Sequence, residues 1–216
     1  FEEGEEGEDD DGVGDLVGQN DSFPNVSTAV AVEKEVAADS LGELFSHTRR
    51  AFLPYLEQAT ADLVALASHF YQGIRKSAIA ALFVFVNTLY ELSSPQPWQP
   101  GLPVKVPLHS DVRKLVDVVV PNIMEAWEAE DDRTTAIEIC QSLAGCLNKC
   151  GPAVIAPSWL ETTCTLTHLI LEKKSPAQLD SESPEEEEDE EASEYESVLI
   201  SAATDLVGAL ANVLGS

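Results

Sequence analysis

Apolar side chains recur at spacings of three and four from Val30 almost to the last residue, and no stretch shows the sustained alternation of a half-buried strand. A chain with that rhythm folds as helices. The first is expected over 29–47, with Val32, Val36, Ala37, Leu41, Leu44 and Phe45 on its period, and the second over 52–70, with Pro54 in its first turn where a missing N–H does no harm. A third over 72–92 is apolar around most of its circumference, which requires neighbours on several sides. The fourth runs from a cap at Ser110 to Trp127 and should kink at Pro121. Asp131 and Asp132 suit the positive end of a fifth helix, which stops before Gly151-Pro152. A sixth covers about 158–173 and a seventh about 194–214. The fold class is therefore all-α, with about seven helices in antiparallel pairs.

Every second helix starts near 32, 73, 131 and 194, in steps of 41, 58 and 63. The last two steps each contain an insertion. One is a loop at 93–109 with five prolines; the other is an acidic loop at 175–193. Removing about 17 and about 20 residues brings the steps close to 41 and 43, inside the two-helix period of roughly 40–47 that marks HEAT and armadillo arrays. Such hairpins stack because each leaves an apolar face that only its neighbour can cover. Residues 28–216 are thus expected to form an α-solenoid of HEAT repeats.

Charge limits what such a surface can bind. The chain has 39 Asp and Glu against 12 Lys and Arg, a formal net charge of −27. Residues 1–15 hold nine carboxylates and residues 180–196 hold eleven, leaving 19 acids and all 12 bases for the rest. Such a chain repels phosphates and anionic lipid and attracts polycations, so basic protein partners are expected, with no direct nucleic acid and no membrane. No uninterrupted apolar run approaches the roughly 20 residues of a membrane span. Residues 1–27, rich in Gly and acid, form an acidic segment expected to be mostly disordered. Phe1 is followed by no signal core, which suggests an internal fragment, and four cysteines do not resemble a secreted disulfide framework.

Phe52-Leu53-Pro54-Tyr55-Leu56 followed by Ile74-Arg75-Lys76-Ser77-Ala78 and Leu82 resembles the HEAT pairing of a proline-bearing outer helix with an inner helix opening "VRxxA". The run Glu33-Lys34-Glu35-Val36-Ala37-Ala38-Asp39-Ser40-Leu41-Gly42-Glu43-Leu44, then Phe-Leu-Pro-Tyr-Leu-Glu, resembles the importin-β superfamily of nuclear transport receptors. It is most similar to the C-terminal half of the importin 4 branch. That resemblance implies a superhelix whose inner wall grips basic nuclear-localisation segments, with core histones three and four or ribosomal proteins as cargo. It also implies shuttling between cytoplasm and nucleus. Ran binding in the family belongs chiefly to N-terminal repeats that nothing here matches.

With the first, third, fifth and seventh helices as the inner ones, Ala37 and Leu41, Ala78 and Leu82, Ala136 and Cys140, and Ala202 and Leu206 should point into the stack. Positions about 100° away then face the concavity. These are Glu35, Asp39 and Glu43 on the first; Asn87, Tyr90 and Glu91 on the next; Asp131, Glu138 and Asn148 on the third; and Asp205 and Asn212 on the last. A lysine there would meet carboxylates, Asn carbonyls and the face of Tyr90. The bland alternative for each residue is a solvated helix face. Cys146, Cys150, Cys164 and His168 have spacings that would let them approach a zinc ion, yet no C-x-x-C is present and buried cysteine is common in cores, so no metal is expected. Trp98 either anchors a neighbouring surface or packs over the fourth helix. No Gly-rich phosphate loop or nucleophile elbow is found, so neither enzyme activity nor a cofactor is expected. The other readings are a structural HEAT scaffold and an acidic histone chaperone whose tracts do the binding.

Overall fold

The computed structural model describes residues 22–179 and 190–215, with side chains from residue 28 in the first span and from residue 193 in the second. Expectations for 1–21 and 180–189 fall outside the described residues. The helices are α1 (Ser22–Thr48), α2 (Leu56–Leu66), α3 (Gln72–Leu92), α4 (Ser110–Glu128), α5 (Arg133–Cys150), α6 (Pro157–Leu171), the single turn α7 (Pro176–Leu179) and α8 (Glu190–Leu214). Two 3₁₀ segments, Arg49–Tyr55 and Pro152–Val154, join α1 to α2 and α5 to α6. Among the described residues there is no strand. The helices form two layers: α1, α3, α5 and α8 lie side by side as one row, and α2, α4 and α6 cover its back.

One continuous apolar core runs through both layers, from Ala38 and Phe45 through Leu82, Ile123 and Leu143 to Leu206 and Val213. Each large side chain in it contributes about 1.5–3 kcal/mol of burial. α3 is the most enclosed, with twelve buried residues, because it has neighbours on both sides and behind. At one end of the row the rings of Phe45, Phe52 and Phe85 meet with centroids 5.2–5.5 Å apart.

The first helix sits in a different rotation from the expected one. Ala31, Ala38, Gly42 and Phe45 make its packed face, whereas Ala37 is exposed and Leu41 only half-buried. The cause is Gly42, whose bare Cα lets Ala81 of α3 approach so closely that an added Cβ would lie 3.3 Å from it. Periodicity alone does not find this, since α1 is apolar on a second face too, where Val32, Val36 and Leu44 stay exposed. The other three pairs, Ala78 and Leu82, Ala136 and Cys140, and Ala202 and Leu206, are all buried.

Several boundaries also move. Helix α1 already begins at Ser22, within the segment expected to be disordered. The expected second helix divides: Arg49, at φ 53°, breaks away from α1, Pro54 lies in the 3₁₀ segment, and α2 proper is 11 residues long. Helix α4 is capped by His109, whose Nδ1 accepts the Asp111 N–H at 3.3 Å, and not by Ser110. It continues through Pro121 as one helix. Asp132 caps α5 by accepting the Thr135 N–H at 2.8 Å and the Thr134 hydroxyl at 2.6 Å. Burial pushes the Asp132 carboxyl up, but these hydrogen bonds pull harder, and it ends below its ordinary range.

The proline loop is a strap across the end of the row. Trp98 lies on Gly151, just after α5; an added Cβ there would be 2.4 Å from Trp98 Cγ. Further on, the Gly101 N–H donates to the carbonyl of Val213 at 2.9 Å, so the same loop reaches the end of α8. Residues 193–214 of α8 are long and apolar enough to cross a membrane by length and composition, contrary to expectation. Leu199, Ala202, Leu206, Leu210 and Val213 are buried against the neighbouring helices, which accounts for much of that apolar content as core.

Candidate binding groove

A groove of about 660 Å³ crosses the row of α1, α3, α5 and α8, lined by Glu35 of α1, Gly73 and Lys76 of α3, Thr134, Ile137, Glu138 and Gln141 of α5, and Glu194, Tyr195 and Val198 of α8. Successive helices supply it because side chains three and four apart share a face. On α3, α5 and α8 the contributing residues fall in the first turns, so the groove lies at one end of the row. Three carboxylates face one ammonium. Tyr195, 40% exposed, Val198 and Ile137 add apolar surface between them. Glu138 is oriented by the Ser142 hydroxyl, which donates to Oε1 at 2.6 Å. The Glu35 carboxylate lies over Gly73.

Of the residues singled out by sequence, Glu35 and Glu138 line this groove. Asp39, one turn after Glu35, is exposed, as are Glu43 and Asp205. Glu91 is not an open carboxylate. It is held by Lys149 of α5 and by Arg49 at 3.0 Å, and the hydrogen bond from Lys149, helped by that from Arg49, keeps its carboxyl below the usual range. The result is a clamp joining α3 to α5 and to the end of α1. Tyr90 is 8% exposed, so it does not present its face to a cation; burial pushes its hydroxyl upward.

The asparagines are engaged with neighbours. Asn87 is half-buried and accepts from the Cys150 thiol at 3.6 Å. Asn212 donates to Asn148 across α8 and α5 at 3.2 Å. Asp131 stands elsewhere, on the rim of a second hollow of about 380 Å³ between the α2–α3 and α4–α5 turns, with His69, Phe70 and Glu130. There it is 3.5 Å from Arg75.

Sequence reasoning missed Lys76, Glu194 and Tyr195 as groove residues. Lys76 follows Gly73 by one turn on the face that also carries Asn87 and Glu91, so its register was readable. Glu194 and Tyr195 fall in the first residues expected for the seventh helix, from which only Asp205 and Asn212 were singled out; with α8 beginning at Glu190 they lie in its second turn. The soft side chains do not converge: Cys140, Cys146 and Cys150 are buried while Cys164 is exposed on α6, and His168 pairs with Glu172 at 3.3 Å. Among the described residues no three His, Cys, Asp or Glu side chains are placed to hold a metal ion.

No protein-family model matches the chain. It is similar to the probable importin subunit beta-4 of Schizosaccharomyces pombe, with 35% identity over 198 residues, covering 88% of this chain and 18% of that one. It is likewise similar to importin-4 of Homo sapiens, with 29% identity over 192 residues, and of Mus musculus, with 31% over 193; each match covers 88% of this chain and 17% of the relative. The chain thus spans less than a fifth of the length of the curated relatives it matches. Its paired helices in two layers and its similarity along most of its length agree: the chain belongs to the importin-β family, in the importin-4 branch.

Proposed function

We propose that this segment is a cargo-binding part of a nuclear import receptor, holding a basic segment of a protein across the groove in the row of α1, α3, α5 and α8. The observation that supports the reading is the lining itself: Glu35, Glu138 and Glu194 from three different helices against the single Lys76, with Tyr195 and Val198 beside them. A lysine side chain suits such a place, its ammonium meeting carboxylates while its methylene stem lies along the apolar surface. A single exposed pair is worth only about 0–1 kcal/mol, so binding needs several at once and weakens as salt screens them. Histone tails and ribosomal proteins are cargo of this chemical kind. In this reading the receptor works in cytoplasm and nucleus, binds and does not catalyse, and contacts Ran through repeats outside this segment.

Calorimetric titration with a lysine-rich histone-tail peptide at two salt concentrations tests it. Wild-type protein should bind, and bind more weakly at the higher salt. Glu138→Lys with Glu194→Lys replaces two attractions by two repulsions and should lower affinity about tenfold or more. Unchanged affinity in that variant, with loss on deleting residues 180–189, would transfer the binding to the acidic tract and overturn the groove reading.

A further inference from the structure

We infer that Gly73 is a positioning residue of the groove, acting through Glu35; the inference rests on the groove being the binding site proposed above. A Cβ built on Gly73 would lie 2.4 Å from Glu35 Oε2, 2.9 Å from its Cδ and 3.2 Å from its Oε1. Contacts under 3.0 Å essentially never occur at a real Cβ, so the carboxylate occupies the place where any other residue would have its side chain.

The backbone gives no competing reason for glycine. Position 73 lies inside the first turn of α3 without a positive φ, and alanine is favoured over glycine in a helix by about 1 kcal/mol. What the first turn of α3 lacks is negative charge. Its cap residue Tyr71 makes no side-chain cap hydrogen bond, and no acid occurs in the turn. Glu35, reaching across from α1, brings a carboxylate to that positive helix end. The missing methyl group at 73 thereby leaves the space in which one of the three groove carboxylates sits before a ligand arrives. A carboxylate already placed there lowers the cost of rearranging a long side chain on binding.

The three atoms nearest such a Cβ all belong to the far end of Glu35, a flexible side chain, so Gly73→Ala should shift that carboxylate and leave α3 in place. The experiment compares wild type, Gly73→Ala, Glu35→Gln and the double variant, each by thermal melting and by titration with the lysine-rich peptide at two salt concentrations. Gly73→Ala should melt no lower than wild type yet bind about twofold to fivefold more weakly, with a shallower salt dependence. Glu35→Gln should weaken binding similarly, and adding Gly73→Ala to it should change nothing further, because the glycine acts only through that carboxylate. Wild-type affinity in Gly73→Ala, or a loss that adds in full to that of Glu35→Gln, would overturn the inference while leaving the groove reading intact. Failure of the wild-type protein to bind the peptide would overturn the groove reading itself.

Discussion

Removing the Glu130 carboxylate should be among the most damaging single changes in this molecule. The Glu130 side chain is 2% exposed and that of Arg75 13%. The guanidinium grips the carboxylate at two points, Nε to Oε2 at 2.9 Å and Nη2 to Oε1 at 2.6 Å. Its Nη1 donates to the carbonyls of His69 and Phe70, while Glu130 Oε1 also accepts the Asp132 N–H at 2.9 Å. One pair thus ties the α2–α3 turn to the start of α5. In Glu130→Ala the guanidinium loses both short hydrogen bonds to that carboxylate and keeps only the exposed Asp131, at 3.5 Å, as an ion-pair partner, a change that costs about 3–5 kcal/mol. For a chain of this size each kcal/mol moves Tm by about 2–4 °C, so melting followed by circular dichroism should fall by about 6–20 °C. Glu130→Leu combined with Arg75→Met should recover most of the loss, since an apolar pair of similar volume avoids both desolvation costs. A Glu130→Ala protein that melts within about 2 °C of wild type, or a double variant as unstable as the single one, would refute the reasoning.

Three other outcomes are expected. Gly151→Ala meets both a φ of 78° and the ring of Trp98, so it should lower Tm and raise quenching of indole fluorescence by acrylamide, an increase absent in a Trp98→Phe background. In the native protein Cys164 alone should react quickly with a thiol reagent. Cys140, pushed up to about 12 by burial, and the buried Cys146 and Cys150 should react only once denaturant opens the core. Glu91→Gln should cost at most about 1 kcal/mol at neutral pH, the Glu91 side chain being 39% exposed. Because the folded-state carboxyl is depressed below 4.5, that contribution is present above pH 4.5 and disappears as pH falls through the folded-state value. Urea unfolding of the two proteins across pH 3–7 would show the difference closing on the acid side, and a constant gap would refute the assignment.

The repeat was readable because helical period and helix spacing are local properties of the sequence. Ala78 with Leu82 and Ala136 with Cys140 fall where the period puts them, since each belongs to a helix with neighbours on both sides of the row. The rotation of α1 was not readable in the same way. It turns on a close approach between Gly42 and Ala81, nearly forty residues apart, and two apolar faces compete on that helix. The site was legible only in part for a related reason. Sequence shows which residues are charged and which face they occupy, so it singles out Glu35 and Glu138, which line the candidate groove. It does not show that Arg49 and Lys149 converge on Glu91, that Asn212 turns to Asn148, or that Tyr90 is covered. The charged and amide pairs among them join residues 42 to 64 positions apart.

Stacked hairpins ordinarily hold only the hairpins beside them, which makes an array behave like a row of springs, each free to stretch without consulting the next but one. The proline loop breaks that locality: it leaves α3, lays Trp98 on the turn after α5 and fastens Gly101 to the end of α8. Bending or twisting the row at this end must either move three helices as a block or peel the loop away. The elastic compliance of this part of the solenoid is therefore set by a seventeen-residue insertion as well as by the helix interfaces.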